Sequence, residues 1–589
     1  MGLRIALVTP FAWSQPHEVN EHVNGVARSL RRLGHRVTVL TSSNRAADLR
    51  AGRRALQAAA GDGLPPETIA LGPAIPVSRR SSLGVPVGLR AALQLALARG
   101  SYDVIHGFEP GLPSLSYLAL RDGGALCVAT FLSPERLAYP PGRAQREKLL
   151  ARVDALVATS PEVADAAAER FPGDYRLISP GVDLELFHSA AAAASAQRPR
   201  RIVVEWLPGE RPGGRAVLRA LHDLPGWELV VLRTQALAGR PSIPGRLRGR
   251  VSVRTGLDGA GRAPLLADAS IFVPAAGGSP RLLLEAAAAG LAIAAAPGAA
   301  DVPSLAAASL EHLAADDALR ARVGRDARAG AESQGFDAVA EELDALYRSL
   351  SGRRRESSRA STDPLVDREW ITVDLHMHTS WSHDCQMQVP DLLDQAEAQG
   401  LGAIAVTDHN VFGGAQEAVA LAQGRPLTVI PGEEVKTDGQ GEVIGLFLER
   451  EIPRGMSFAD TIAAIKEQGG LVYVPHPFDR LHAIPDPATL HRHLADIDVF
   501  EVYNARLLFE AYNDEALRFA RKYNLTMGAG SDAHVLQGVG TGALRMRAFQ
   551  DPEEFLVSLR SAELLRRPKS LVYLQSLKWV AQARDRVRS

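Results

Sequence analysis

ITVDLHMH, residues Ile371–His378, decides the reading of the last third of the chain. Strand alternation puts Thr372, Asp374, His376 and His378 on one face, and Ile371, Val373, Leu375 and Met377 on the other. Five more strand-like runs follow and end in polar, mostly ionisable residues: GAIAVTDH (Gly402–His409), LTVIPGEE (Leu427–Glu434), LVYVPHP (Leu471–Pro477), IDVFEVYN (Ile497–Asn504) and LTMGAGSDAH (Leu525–His534). Helical patterns over Val389–Gln399, Phe458–Gln468 and Glu510–Tyr523 lie between them, with Gly400, Gly469 and Gly470 at helix ends. Such alternation gives a parallel sheet with crossover helices, and barrel enzymes of this kind place their chemistry at the carboxyl ends of the strands. Six endings rich in His, Asp and Glu describe a ring of metal ligands around one pocket. Nine of the chain's sixteen histidines fall after residue 370, so the clustering is local.

The chain has 589 residues, more than one ordinary core accommodates, and several domains are expected. Hydrophobic residues at 46% and charged residues at 23% fit a globular protein. A formal net charge of −1 gives no global attraction to nucleic acid or anionic membrane. Cys127 and Cys385 lie far apart in sequence, which argues against a disulfide framework and fits a reducing cytoplasm. The start, MGLRIALVTPF, does not read as a secretory signal, and no run reaches the length of a membrane span.

Before the ligand-rich region the same alternation appears twice. Residues 1–187 carry strands at Arg4–Thr9, Arg36–Leu40, Val104–His106 and Leu126–Phe131, with a helix at Glu18–Leu33 that Gly34 ends. An Ala-rich hinge, Ala190–Ala196, leads to a second region, 197–350. This has strands at Arg201–Val204, Trp227–Leu232, Val251–Val253 and Ile271–Pro274, and a helix at Arg281–Ala289. The polar stretch 351–368 reads as a linker, 369–550 as the ligand-rich domain, and 551–589 as a helical basic tail with an apolar run at Leu571–Leu577.

The motifs DLHMHT (Asp374–Thr379), SHDC (Ser382–Cys385), TDHN (Thr407–Asn410), PGEE (Pro431–Glu434), PHPFD (Pro475–Asp479) and SDAH (Ser531–His534) occur in the order found in the PHP, or polymerase and histidinol phosphatase, superfamily, which this part of the chain resembles. The resemblance implies a distorted (β/α)7 barrel holding two or three divalent ions, manganese, zinc or iron. Carried over, it implies that His376, His378 and Asp532 hold a first ion, that Glu434 bridges to a second at His476, and that Asp384, His409 and His534 hold a third. Glu442 stands where relatives commonly have another His. Asp408 is expected to orient His409 through its ring nitrogen. Arg480 and Arg506 are expected to clamp a phosphate, as is Lys436, and His383 is expected to be a surface neighbour.

RIALVTPF (Arg4–Phe11), LRRLGHRVTVLT (Leu30–Thr41), DVIHGFEPGLPS (Asp103–Ser114), VATF (Val128–Phe131), SPGVDLELF (Ser179–Phe187) and LLLEAAAAGLAIAA (Leu282–Ala295) resemble glycosyltransferases of the GT4 type. That resemblance implies two Rossmann-like domains in the GT-B arrangement. Where such enzymes hold the diphosphate of a nucleotide sugar, this chain has His17–Glu18, Glu205–Trp206 and Pro212–Gly213. Phe108 and Leu132 stand where relatives carry His, and Glu285 keeps one of two paired acids, the other aligning with Gly277. Arg211 or Arg215 is a candidate replacement cation. The donor site therefore reads as degenerate.

The expected function is metal-dependent hydrolysis of a small phosphorylated substrate, a phosphomonoester or nucleotide, by a cytoplasmic protein whose glycosyltransferase-like half has lost transfer. One alternative is a bifunctional protein with an active nucleotide-sugar transferase. Another is a non-catalytic module that binds a nucleotide, glycan or partner in its cleft. Long nucleic acid is disfavoured by the near-zero charge.

Overall fold

In the computed structural model the described residues are 2–15, 17–57, 66–76, 84–85, 88–193, 199–207, 211–234, 241–275, 278–294, 307–354, 364–479 and 484–567. The chain divides into two compact units, Met1–Leu350 and Ser351–Ser589.

The first unit contains two parallel sheets of doubly wound topology. In the first, the strands run in the order Thr68–Ala70, Arg36–Thr41, Arg4–Val8, Val104–Phe108, Leu126–Phe131, Ala155–Ala158 and Tyr175–Leu177. The second orders Val251–Thr255, Glu228–Arg233, Arg201–Trp206, Ile271–Val273, Ala292–Ala294 and Ala307–Ala308. The central strands are almost continuously apolar because helices cover both faces. In each sheet the order reverses beside the first strand, and ligands of open α/β sheets bind at the carboxyl ends of the strands there. In the first sheet Glu18–Arg32 forms the first crossover helix. Its N-cap, His17, accepts from Val19 N, acids fill its first turn, and Gly34 turns the chain at φ 88°.

In the second unit a nine-stranded sheet curls around a core. The order is Thr526–Gly530, Val499–Asn504, Leu471–Val474, Glu442–Leu446, Thr428–Lys436, Ala403–Val406, Trp370–Asp374, Gly542–Arg547 and Glu563–Arg566. The curl nearly closes. Leu375 N donates to Ala529 O at 3.2 Å, Asp532 N to His376 O at 2.8 Å, and His378 N to Ala533 O at 3.1 Å. A Cβ on Gly530 would lie 2.3 Å from His376 Cβ, so this seam requires glycine. Asp374 pins the seam with its carboxylate, accepting from Ser531 N at 2.9 Å and Gly540 N at 3.0 Å.

The barrel departs from a regular strand–helix alternation. Glu442–Leu446 runs antiparallel to both its neighbours. Only five residues separate it from Thr428–Lys436, with Gly439 and Gly441 at φ 75° and 80°, and a connection that short makes a hairpin rather than a crossover. The segment after 550, expected to begin a helical tail, belongs to the barrel up to Arg567. Pro552–Leu559 is a helix whose Phe555 is fully buried against Phe447 and Phe549, and Glu563–Arg566 is an edge strand. Residues 568–589, with the apolar run Leu571–Leu577, lie outside the described residues. The expected linker is packed at both ends. Ser351 completes the helix Phe336–Ser351, Arg354 Nε donates to Lys522 O at 2.9 Å, and Arg368 pairs with Glu554 at 2.9 Å. Its middle, 355–363, lies outside the described residues, as does the end of the Ala-rich hinge, of which Leu184–Ala193 is helix.

Candidate functional site

His376, His378, His409, Glu434, His476, Asp532 and His534 come together in one cluster at the carboxyl end of the sheet. At its centre are four atoms: His376 Nε2, His378 Nε2, Glu434 Oε2 and Asp532 Oδ1. His376 Nε2 lies 3.2 Å from His378 Nε2, 3.3 Å from Glu434 Oε2 and 4.0 Å from Asp532 Oδ1. His378 Nε2 lies 3.5 Å from Glu434 Oε2 and 3.4 Å from Asp532 Oδ1. Of these, His376, His378 and Glu434 offer ligand atoms within 4.8 Å of one another, as do His376, His476 and Asp532, and donors of these types suit a divalent ion. Two flanking groups share the same carboxylate. Glu434 Oε1 meets His476 Nε2 at 3.0 Å, and Glu442 Oε2 approaches that nitrogen at 3.7 Å. Glu434 Oε2 meets His409 Nδ1 at 3.0 Å, and Asp384 lies 3.8 Å from His409 Nε2 and 3.0 Å from His534 Nε2.

The local backbone explains how these side chains are aimed. His476 and Asp532 follow their strands at φ 25° and 50°, a region that costs energy for residues with a Cβ. Both are held there by hydrogen bonds: His476 N donates to Glu501 Oε2 at 2.6 Å, and Asp532 N to His376 O at 2.8 Å. His378, Glu434 and His376 are fully buried, whereas the side chains of Asp384, His409 and Glu442 keep 25%, 16% and 18% of their surface. Solvent therefore reaches the cluster from the Asp384–His409–Glu442 side.

Its electrostatics suit cations. Burial opposes charge on the His376 ring, yet Glu434, Asp532 and Glu501 hold its pKa well above the ordinary value. Burial likewise opposes charge on His409 and His476, and Glu434 outweighs it, lifting both to about 9. Burial would raise the Glu434 carboxyl, but His376 and His409 hold it well below the usual range. Buried carboxylates thus draw protons onto imidazoles that are themselves good metal ligands, and a divalent ion satisfies the same field.

Glu501 is a site residue that the sequence reading missed. It sits inside VFEVYN, fully apolar on either side, with 1% exposure. Its carboxylate meets His376 Nδ1 at 3.1 Å and accepts from Tyr473 Oη at 2.8 Å, His476 N at 2.6 Å and Asn504 Nδ2 at 3.1 Å. The available signal was an acid between Phe500 and Val502 in an otherwise apolar strand. Asp408, expected to orient His409, instead accepts from Thr379 N, Thr379 Oγ1 and Ser382 Oγ, each at 2.7 Å. Ser382 Oγ lies 3.3 Å from His378 Nδ1 and accepts from His409 N at 3.0 Å, so Asp408 steadies the loop beneath two histidines rather than one ring. Arg506 Nη1 lies 3.2 Å from Asp532 Oδ1 and 3.3 Å from His534 Nε2, which puts it in the cluster. Lys436 and His383 are exposed, and Arg480 lies outside the described residues.

In the first unit the reversal point of the second sheet is filled by the chain's own acid. Glu205, at the end of Arg201–Trp206, accepts from Ser279 N at 3.2 Å through both oxygens and from Thr234 Oγ1 at 3.1 Å. Ser279 caps the helix Pro280–Ala288, so a carboxylate sits where a helix N-terminus attracts an anion. A Cβ on Gly278 would lie 2.2 Å from Glu205 Oε2, which shows how closely the loop folds over it. Burial pushes the Glu205 carboxyl up to about 7. The neighbouring cations are also engaged internally. Arg262 grips Glu285 at 2.6 Å and Glu21 at 2.8 Å, and Arg281 binds Glu21 at 2.8 Å and Glu285 at 3.2 Å. Glu18, expected to repel a phosphate, is paired with Arg136 at 2.7 Å. Phe108 is fully buried, and Pro212–Gly213 lie within the helix Arg211–His222. Arg215 is exposed, while the Arg211 side chain and Gly277 lie outside the described residues.

Comparison with known proteins follows the same division. The PHP domain model matches residues 374–520, the PHP-associated model 510–564, and the Glycosyltransferase Family 4 model 19–186. An uncharacterized protein of Methanocaldococcus jannaschii is 33% identical over 215 residues, covering 34% of this chain and 85% of its own length. Phosphatidyl-myo-inositol mannosyltransferase of Mycobacterium tuberculosis is 28% identical over 309 residues, covering 49% of this chain and 77% of its own. The crystal structure of an amidohydrolase from Chromobacterium violaceum is 17% identical and covers 34% of this chain and 99% of its own, with a TM-score of 0.26. No described helix is long and apolar enough to cross a membrane. With its barrel unit matched by both PHP models and its first unit by a glycosyltransferase model, the chain carries a PHP domain preceded by a GT4-type module.

Proposed function

We propose that the barrel unit is a metal-dependent phosphoesterase acting on a small phosphomonoester or nucleotide. The observation that carries this reading is the buried cluster of His376, His378, Glu434 and Asp532, flanked by two more carboxylate–imidazole groups that share Glu434. The reading assigns a second ion to Glu434, His476 and Glu442 and a third to Asp384, His409 and His534. Bound divalent ions supply an acidified water and neutralise phosphate oxygens as their charge redistributes. The chain's own residues hold and orient. Glu501 fixes the His376 ring through Nδ1, Asp408 fixes the His378–Ser382 loop, and Arg506 offers a permanent cation to an entering phosphate. Substrate enters where Asp384, His409, Glu442 and Arg506 keep part of their side chains exposed. The test is phosphate release from a panel of phosphomonoesters and nucleotides with added manganese, comparing the full chain with the double variant His376→Ala/Asp532→Asn. Release that the variant lacks supports the reading; no release by the intact, metal-loaded chain refutes it.

The same reading holds that the GT4-type module no longer transfers sugar, because Glu205 caps the helix N-terminus that a donor phosphate needs. Similarity to mannosyltransferases makes a mannosyl nucleotide the first donor to titrate. Binding with transfer would establish a bifunctional protein, and binding alone a ligand-sensing module.

A further inference from the structure

Between His378 and Asp384 the ligand loop carries a tryptophan, and Trp381 is 46% exposed. Its position beside the centre is fixed at several points. Trp381 N donates to Thr379 Oγ1 at 3.2 Å, and that hydroxyl in turn donates to Asp408. Trp381 Nε1 donates to Glu417 Oε2 at 2.7 Å, which sets the direction of the indole. One side of the ring lies on the start of the helix Gly413–Leu421. A Cβ added at Gly413 would lie 2.4 Å from Trp381 Cζ3, and one at Gly414 would lie 3.0 Å from Trp381 Cδ1, 2.7 Å from Thr379 Oγ1 and 2.0 Å from Asp408 Oδ2. Two successive glycines therefore let the indole lie close against the helix and against the residues that steady His378. Here the hydrogen bond and the glycine bed immobilise one side while leaving the other to solvent, on the loop that supplies two ligand residues. A second loop at the same end of the barrel follows Arg506 with Leu508 and Phe509, 57% and 50% exposed.

Resting on the phosphoesterase reading, we propose that Trp381 is a stacking platform for a flat ring carried by the phosphoester, a nucleobase in the first instance, so that it selects nucleotides over sugar or polyol phosphates. A rigid indole with one free face loses little conformational entropy on stacking, and every nucleobase has a π-face to offer it. The arrangement assigns the phosphate to the ligand cluster and Arg506, and the base to the outer surface of the loop.

The test measures equilibrium binding to the full chain loaded with manganese. The probes are the 5′-methylenephosphonate analogues of adenosine and of ribose, which carry the same charge and cannot be cleaved. The adenosine compound is expected to bind about 5- to 150-fold more tightly, the range that base–aromatic stacking gives. Trp381→Ala should reduce that ratio to near unity, Trp381→Phe should retain much of it, and Gly413→Val, which displaces the ring while leaving it in the chain, should reduce it as well. Manganese content is measured alongside, and variants are compared only at equal content; if Trp381→Ala loses metal, the phenylalanine and Gly413 variants decide. Equal binding of the two probes by the natural chain, or a ratio that survives removal or displacement of the ring, overturns the proposal. A ratio that behaves as expected in a protein that releases no phosphate from any member of the phosphomonoester and nucleotide panel would instead overturn the phosphoesterase reading and leave the platform standing.

Discussion

Replacing Glu501 with Gln changes one atom and should weaken the metal centre from its far side. The four groups within hydrogen-bond distance of the carboxylate are His376 Nδ1, Tyr473 Oη, His476 N and Asn504 Nδ2, at 2.6 to 3.1 Å. A carboxylate only accepts, so Glu501 keeps a proton on His376 Nδ1 and leaves Nε2 as the atom that would ligate an ion beside Glu434, His378 and Asp532. A glutamine keeps one oxygen with two lone pairs and turns an NH2 group toward two donors. Two bonds to a charged acceptor are lost in a buried site, at about 1.5–3 kcal/mol each, so about 3 kcal/mol is a minimum. For a unit of this size that corresponds to a fall in Tm of about 6–12 °C for the barrel transition. Disordering the ring behind a ligand should also cost about 10- to 100-fold in metal affinity. Competition against a chromophoric zinc chelator reads the affinity, and calorimetry reads the melting. Zinc affinity within about twofold of the natural chain, with unchanged melting, would refute the assignment of Glu501 as the group that sets the His376 ring.

Three further outcomes follow from other residues. Glu205 has its pKa raised from 4.5 to about 7, so the folded chain holds a proton there that the unfolded chain has already lost, and stability should fall as pH rises from 4.5 through 7. Glu205→Gln should remove up to about 3 kcal/mol of that slope in urea titrations across this window, and an unchanged slope would show that the carboxyl titrates normally. Arg506→Ala should lower kcat/KM for the best phosphoester by roughly 10- to 100-fold, chiefly through KM, because the phosphate loses a charge-assisted contact. Glu442→His replaces an oxygen donor beside His476 with nitrogen and should shift metal retention from manganese toward zinc, read by metal content after dialysis against both ions.

The barrel was legible where chemistry and strand period coincide. His376 and His378 share a strand face, and Glu434, His476, Asp532 and His534 each end an apolar run, so sequence alone brought most of the cluster together. The geometry adds what local pattern cannot hold. Glu501 lies 125 residues from the ring it touches, and nothing near it in the chain announces a histidine. Asp408 sits next to His409 in sequence, which suggested the wrong partner. The turn that follows its strand sends the carboxylate to Thr379 and Ser382 instead. The edge strand after 560 was also hidden, because its pairing with Gly542–Arg547 is settled by Phe555 filling the core between them and not by any pattern within the tail.

The first unit shows the opposite limit. Its two sheets follow from strand–helix alternation, and the loss of basic residues at the donor positions can be read from the chain. What replaces them cannot. Glu205 looked like a missing cation, an absence, but it occupies the end of the helix beginning at Pro280 as a phosphate would, across 74 residues of sequence. The arginines that remain, Arg262 and Arg281, close on Glu21 and Glu285 rather than facing outward. A buried charge without a partner is costly, so a cleft that gives up an anionic ligand must either lose its cations or supply its own anions. This chain does both, and the two together give Arg262, Arg281 and the helix beginning at Pro280 internal anions without any bound diphosphate. That makes Glu205→Gly the decisive substitution for the cleft. If a nucleoside diphosphate then binds where the natural chain takes none, Glu205 is the group that fills the anion site; if neither form binds, the arginine pairs are sufficient to close it.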